Sequence, residues 1–121
     1  MKKENKKAKK EKNKNLSLNA TKAIEIATKL MPMLADYRAS DRNKWMKIGW
    51  ILSSIGEGSQ KAFDLWIEFS AICEDSYDEG ECTEKWENMK IGDYTLGSLK
   101  YFASIDSPEQ YMKYKQKKLI V

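Results

Sequence analysis

Residues 41–56, DRNKWMKIGWILSSIG, decide the fold. At about 100° per residue, Trp45, Ile48, Leu52 and Ile55 fall within about a quarter of a helical circumference. Met46 and Trp50 project from another side, with Gly49 and Ser53 between the two apolar groups. A helix apolar on two flanks needs neighbours on both, so this one is expected in the middle of a bundle. The small residues between the flanks let another element come close.

Outward from that helix, the chain reads as further helices. LSLNATKAIEIATKLMPMLADYR (residues 16–38) predicts a first helix, capped by Ser17 or Asn19, with Ile24, Ala27, Met31 and Leu34 as its apolar stripe. Pro32 lacks an amide hydrogen and crowds the preceding turn, so this helix should end near Leu30, with a short turn through Tyr37. Ser40 is the expected cap of the central helix, and Gly56 and Gly58 its stop. Ser59 then opens a helix to about Ile72, with Phe63, Trp66, Ile67 and Ser70 on one face. Ser70, set in an apolar stripe, is expected to bond back to a carbonyl one turn earlier.

An acidic loop, EDSYDEGE (residues 74–81), precedes a short helix carrying Trp86 and Met89, capped by Thr83 or the residues just before it. Asp93 or Thr95 can cap the next, which bears Leu96, Leu99 and Phe102. Ser107-Pro108-Glu109-Gln110 reads as a capping box with proline in the first helical position. No stretch alternates with period two for long enough to build a sheet. The expected class is all-α, a bundle of five or six short helices. Its core is expected to be Trp45, Gly49, Trp50, Leu52, Trp66, Phe69, Ser70, Trp86, Leu96 and Leu99.

Charge divides the chain. The total is +4, and residues 1–15, MKKENKKAKKEKNKN, hold eight lysines and two glutamates, or +6, which leaves −2 for the rest. The expected organisation is a disordered lysine-rich arm over 1–15, a helical body over 16–106, and a capped helix with a basic tail over 107–121. Lysines without arginine or aromatic residues hold phosphates regardless of base sequence. In the body, Arg42, Lys44 and Lys47 on the central helix are candidate phosphate contacts, as are Lys113, Lys115, Lys117 and Lys118 near the end. Each also serves simply as a solvated charge.

Several chemistries are disfavoured. No histidine is present, which removes the usual general base and the commonest zinc ligand. Gly56-Glu57-Gly58 begins a glycine-rich fingerprint, but it follows a helix, and Lys61 stands where the third glycine belongs. Asp75 to Trp86 has Gly80 at the sixth place of a calcium loop, yet Tyr77 and Trp86 occupy ligand positions three and twelve. The expectation is no catalytic, cofactor-binding or metal-ligating residue. No apolar run is long enough to span a bilayer, so no membrane role is expected. Cys73 and Cys82 read as free thiols in an intracellular, reducing compartment.

Four ordered blocks carry a family likeness: WMKIGWIL at Trp45–Leu52, LWIEFS at Leu65–Ser70, CTEKW at Cys82–Trp86 and TLGSLKYFA at Thr95–Ala103. Together they resemble the primase C-terminal domain of the second type, found in primase–helicases of giant viruses, poxvirus relatives, phages and mobile elements. The matching positions are Trp45, Gly49, Trp66, Ser70, Trp86, Gly97 and Leu99. The resemblance implies a helical linker between a primase and a helicase that assists replication initiation without chemistry of its own. It implies a primase or helicase partner and weak, non-specific nucleic-acid contact. The competing expectation is a protein-interaction adaptor with no nucleic-acid role. The chain departs from whole primase–helicases in lacking a carboxylate–histidine metal site and a phosphate loop.

Overall fold

The computed structural model describes residues 16–120, apart from the side chains of 118–120. The lysine arm therefore lies outside the described residues. Seven α-helices and no strand occur among them: α1 (Leu18–Leu30), α2 (Tyr37–Ser40), α3 (Arg42–Ile55), α4 (Gln60–Ser70), α5 (Glu79–Asn88), α6 (Leu96–Asp106) and α7 (Pro108–Ile120). The class is all-α, as expected; the helix beyond the five or six expected is the one-turn α2, which begins at Tyr37, where the expected short turn ends.

Local chemistry sets the boundaries. The Ser17 side chain accepts from the Ala20 amide and starts α1, and Pro32 confines the chain after Leu30 to a single 3-10 turn, Met31–Met33. Asp41, not Ser40, caps α3, accepting from the Lys44 amide at 3.1 Å. Ser40 instead ends α2 and donates its hydroxyl to the Tyr37 carbonyl. Ser59 and Thr95 cap α4 and α6. The cap of α5 is Asp78, not Thr83, so the second half of the acidic loop is already helical. Glu79 and Glu81 in its first turn suit the positive end of the helix dipole. At the start of α7 the Ser107 hydroxyl goes to the Met33 carbonyl at 2.8 Å, tying that helix to the 3-10 turn.

Helix α3 is central, packing against α1, α2, α4 and α6, while α5 lies on α4 and α7 on α6. Its closest partnership is with α4, and it is built from indoles. Trp45 and Trp66 stack with ring centroids 4.8 Å apart, Trp86 lies tilted 5.8 Å from Trp66, and Phe63 meets Trp86 edge-on. The Trp45 indole nitrogen donates to Ser70 Oγ at 2.7 Å, and that hydroxyl donates to the Trp66 carbonyl at 2.7 Å. The Trp66 nitrogen returns a bond to the Trp45 carbonyl at 3.1 Å. Both indole N–H groups are thus satisfied inside the core, where an unpaired donor would cost about 1–3 kcal/mol.

One core expectation is corrected. Trp50 is 38% exposed, and Ile51 and Ser53 occupy the buried flanks instead. The buried arc of α3 runs from Ile51 through Trp45 to Gly49 and Ser53. At about 100° per residue, Trp50 lies just past its edge. Leu96 is half-buried against the core, whereas Leu52, Leu99, Trp45, Trp66, Phe69, Ser70, Trp86 and Gly49 are buried.

A second tie, unseen in the sequence, holds α2 to α6. The Arg38 guanidinium forks onto Asp106, Nε to Oδ2 at 2.6 Å and Nη2 to Oδ1 at 2.9 Å, and the Ala35 amide donates to the same carboxylate at 2.8 Å. The guanidinium also lies over Phe102, 4.2 Å from the ring centroid. Both charged side chains are nearly inaccessible to water. The Arg38 hydrogen bonds hold the Asp106 carboxyl below its ordinary value, against the opposing effect of burial.

Three substitutions test this packing. A Cβ on Gly49 would sit 2.6 Å from Trp66 Cε2, a ring with no room to move, so Gly49→Ala should cost about 1–3 kcal/mol by urea denaturation. Gly92→Ala, whose Cβ would meet only Ser54 Oγ at 3.8 Å, should change stability by less than about 0.5 kcal/mol. Because Asp106 has its folded pKa depressed, its contribution is complete above the unfolded value of 3.8 and is lost as pH falls through the folded value. Asp106→Asn should cost about 3–5 kcal/mol at neutral pH and remove that acid-dependent loss, read as a flatter stability profile as the pH is lowered through and below the unfolded value.

Candidate nucleic-acid interface

The basic residues expected to meet phosphate stand in different settings. Arg42, at the first turn of α3, is ion-paired with Glu81 of α5 and lies 5.2 Å from the Trp45 ring centroid. The pair joins α3 to α5 and leaves Arg42 partly neutralised. Lys44 is exposed, with Nζ 3.9 Å from Asp41. Lys47 is exposed one turn further on, with Nζ 6.0 Å from the Tyr94 ring centroid. Lys113, Lys115 and Lys117 are exposed on α7, which packs on α6, and Lys115 lies 5.7 Å from the Tyr111 ring. The Lys118 side chain lies outside the described residues. The fold thus places two lysine groups on two helices, one on α3 and one on α7.

The α3 group has company. Asn43, Lys47, Trp50 and Ser54 fall within about 60° of one another on the helix wheel, on its outward side. The segment after α5 folds along this side. Met89 is buried at the Gly49–Trp66 contact, and the Gly92 amide donates to Ser54 Oγ at 2.9 Å. Ile91 and Tyr94 remain exposed beside it. From the sequence, Met89–Thr95 reads only as a stretch of extended backbone too short to carry a sheet, with no site role, because its isolated apolar residues follow no helical period. The only hint was two aromatic or aliphatic residues in a glycine-containing connector.

A cleft of about 250 Å³ opens between the α2–α3 junction and α5, bounded by Arg42, Trp45, Ser70, Tyr77, Asp78 and Cys82. Its chemistry is quiet. Burial pushes the Cys82 thiol up, aided by Glu81, Asp78 and Glu79, and a hydrogen bond with Ser70 opposes this only in part. Burial likewise raises the Tyr77 phenol. The Ser70 hydroxyl is engaged by both Trp45 and Trp66. None of these is an activated nucleophile. Among the described residues no group of three or more Cys, Asp or Glu side chains could hold a metal ion, and no helix is long and apolar enough to cross a membrane.

Known proteins place this geometry. The family model for the primase C terminal 2 domain matches residues 27–103. That stretch begins in α1 and ends in α6, taking in the three buried indoles, Gly49 and Leu99. The chain is 35% identical over 95 residues to a protein of Acanthamoeba polyphaga mimivirus named "Putative helicase", covering 77% of this chain. A protein of the same description from Frog virus 3 is 35% identical over 103 residues, or 83% of this chain. A third, from Invertebrate iridescent virus 3, is 31% identical over 94 residues, or 73% of it. The chain spans about a tenth of the length of each of these relatives. No solved structure matches it significantly. With the match covering the helical body from α1 to α6, the chain belongs to the primase C terminal 2 family.

Proposed function

We propose that this chain is a non-catalytic module of DNA replication that assists a primase and a helicase through protein contacts and weak, non-specific nucleic-acid contacts. The observation that carries the reading is the family match over the helical body, joined to three viral relatives that bear helicase names. The residues support a scaffold rather than a reaction centre, since the polar groups nearest the cleft are tied into packing. Lysines on α3 and α7, with those of the arm, supply the phosphate contacts. The module works where its partners do, in an intracellular, reducing compartment.

One observation favours an adaptor with no nucleic-acid role. Tyr101 and Ile105, one turn apart on α6, are 63% and 51% exposed, and Met112 on α7 is 52% exposed. Apolar side chains left in water suit a protein partner. This is compatible with the protein-contact half of the proposal and competes only with the nucleic-acid half.

Titrating the full chain against labelled single-stranded and forked DNA across a salt series separates the two. Binding at low salt that weakens by about fiftyfold between 50 and 200 mM, the amount expected for four phosphate contacts on a single strand, supports the proposal. Absence of binding at the lowest salt removes the nucleic-acid half and leaves the adaptor.

A further inference from the structure

The outward stripe of α3 combines two features seldom left together on a protein surface. Trp50 is a large apolar ring at the surface, while Trp45, Trp66 and Trp86 are all buried. It sits on the helix between Lys47 and Ser54; Ser54 holds the 89–95 segment through the Gly92 amide, and the Lys47 Nζ lies 6.0 Å from the Tyr94 ring centroid. The surface therefore presents the Trp50 indole, the Tyr94 ring and Ile91 beside the Lys47 ammonium. Helix α3 carries three basic residues and no acidic one, on a body (residues 16–106) whose net charge is −5. The positive charge here is thus local to this helix. Arg42 is paired with Glu81 and Lys44 has Asp41 near, which leaves Lys47 as the basic residue of the stripe, with Asp93 in the adjoining segment.

We infer that this stripe, with Tyr94, is a stacking platform for a single strand of nucleic acid. Unpaired bases lie on the Trp50 indole and the Tyr94 ring, and Lys47 meets the adjoining phosphate. Aromatic faces bind any base, because every base has a π-face, and a neighbouring lysine follows the backbone without reading sequence. A duplex keeps its base faces stacked on each other and offers none to such a surface. The ligand is therefore single-stranded. The inference rests on the proposed nucleic-acid role and assigns it a face. It also gives Trp50 a reason to be outside the core.

The test uses the full chain, a labelled oligothymidylate, and a strand of equal length and charge that lacks bases. The arm, which sees only phosphates, binds both alike. The expected result is tighter binding of the strand with bases, by about five- to hundredfold, accompanied by quenching of tryptophan fluorescence. Trp50→Ala should abolish both the preference and the quenching, and Tyr94→Ala should reduce the preference, with helicity and thermal midpoint unchanged in each. Lys47→Glu should weaken both strands.

Equal affinity for the two strands, unaffected by Trp50→Ala, would overturn the platform while leaving a nucleic-acid role carried by the arm or α7. No binding of either strand at low salt would remove the role and the platform together. Polyglutamate of matched charge that binds as tightly as the oligonucleotide, with the same quenching, would overturn the inference in favour of an acidic protein partner. Should Trp50→Ala lose helicity, Tyr94→Ala and Lys47→Glu still decide the outcome, since neither side chain is in the core.

Discussion

The structure depends on a closed circuit of hydrogen bonds between two stacked indoles and a serine. Trp45 of α3 donates to Ser70 of α4, Ser70 donates to the Trp66 carbonyl, and Trp66 donates back to the Trp45 carbonyl. Each indole brings a large apolar face together with one obligatory donor, and a core that buries the face must also answer the donor. Here the same three residues meet both demands. Gly49 completes the arrangement by leaving α3 without a side chain where Trp66 presses against it. Met89 fills the same place from the other side, which draws the segment after α5 into the core and sets up its course along α3.

Much of this was legible in the sequence. The helical stripes around Trp45, Trp66 and Leu99, the caps at Ser17, Ser59 and Thr95, and the break at Pro32 all act within a turn or two, so local pattern reveals them. The back-bond of Ser70 was also foreseeable, because a hydroxyl in an apolar stripe has a carbonyl one turn earlier as its nearest acceptor. The bond from Trp45 to that hydroxyl was not, since it depends on how two helices are rotated against each other. Trp50 misled for a related reason. A hydrophobic residue near the edge of an apolar arc is assigned inside or outside by its neighbours; here the arc closes at Ser53 on the Trp50 side and reaches Ile51 on the other, leaving Trp50 outside.

The lysines show the limit of reading charge along a chain. Arg42, Lys44 and Lys47 look equivalent in sequence, yet the fold gives them three different settings. Arg42 is engaged by Glu81, Lys44 has Asp41 near, and Lys47 stands beside Tyr94. Arg42 also lies over a ring, but that ring, Trp45, is buried, so only Lys47 stands beside exposed aromatic side chains. The family match adds a context of replication proteins without distinguishing among these residues.

The Arg38–Asp106 fork has a consequence for how this module exists at all. Its two members are 68 residues apart, and both are withdrawn from water. A half-folded chain that has sequestered one of them holds a lone charge in an apolar setting, which is among the least tolerable states a protein can occupy. Intermediates are therefore penalised, and the domain is pushed towards cooperative, all-or-none assembly. Such a unit is either wholly present or wholly lost.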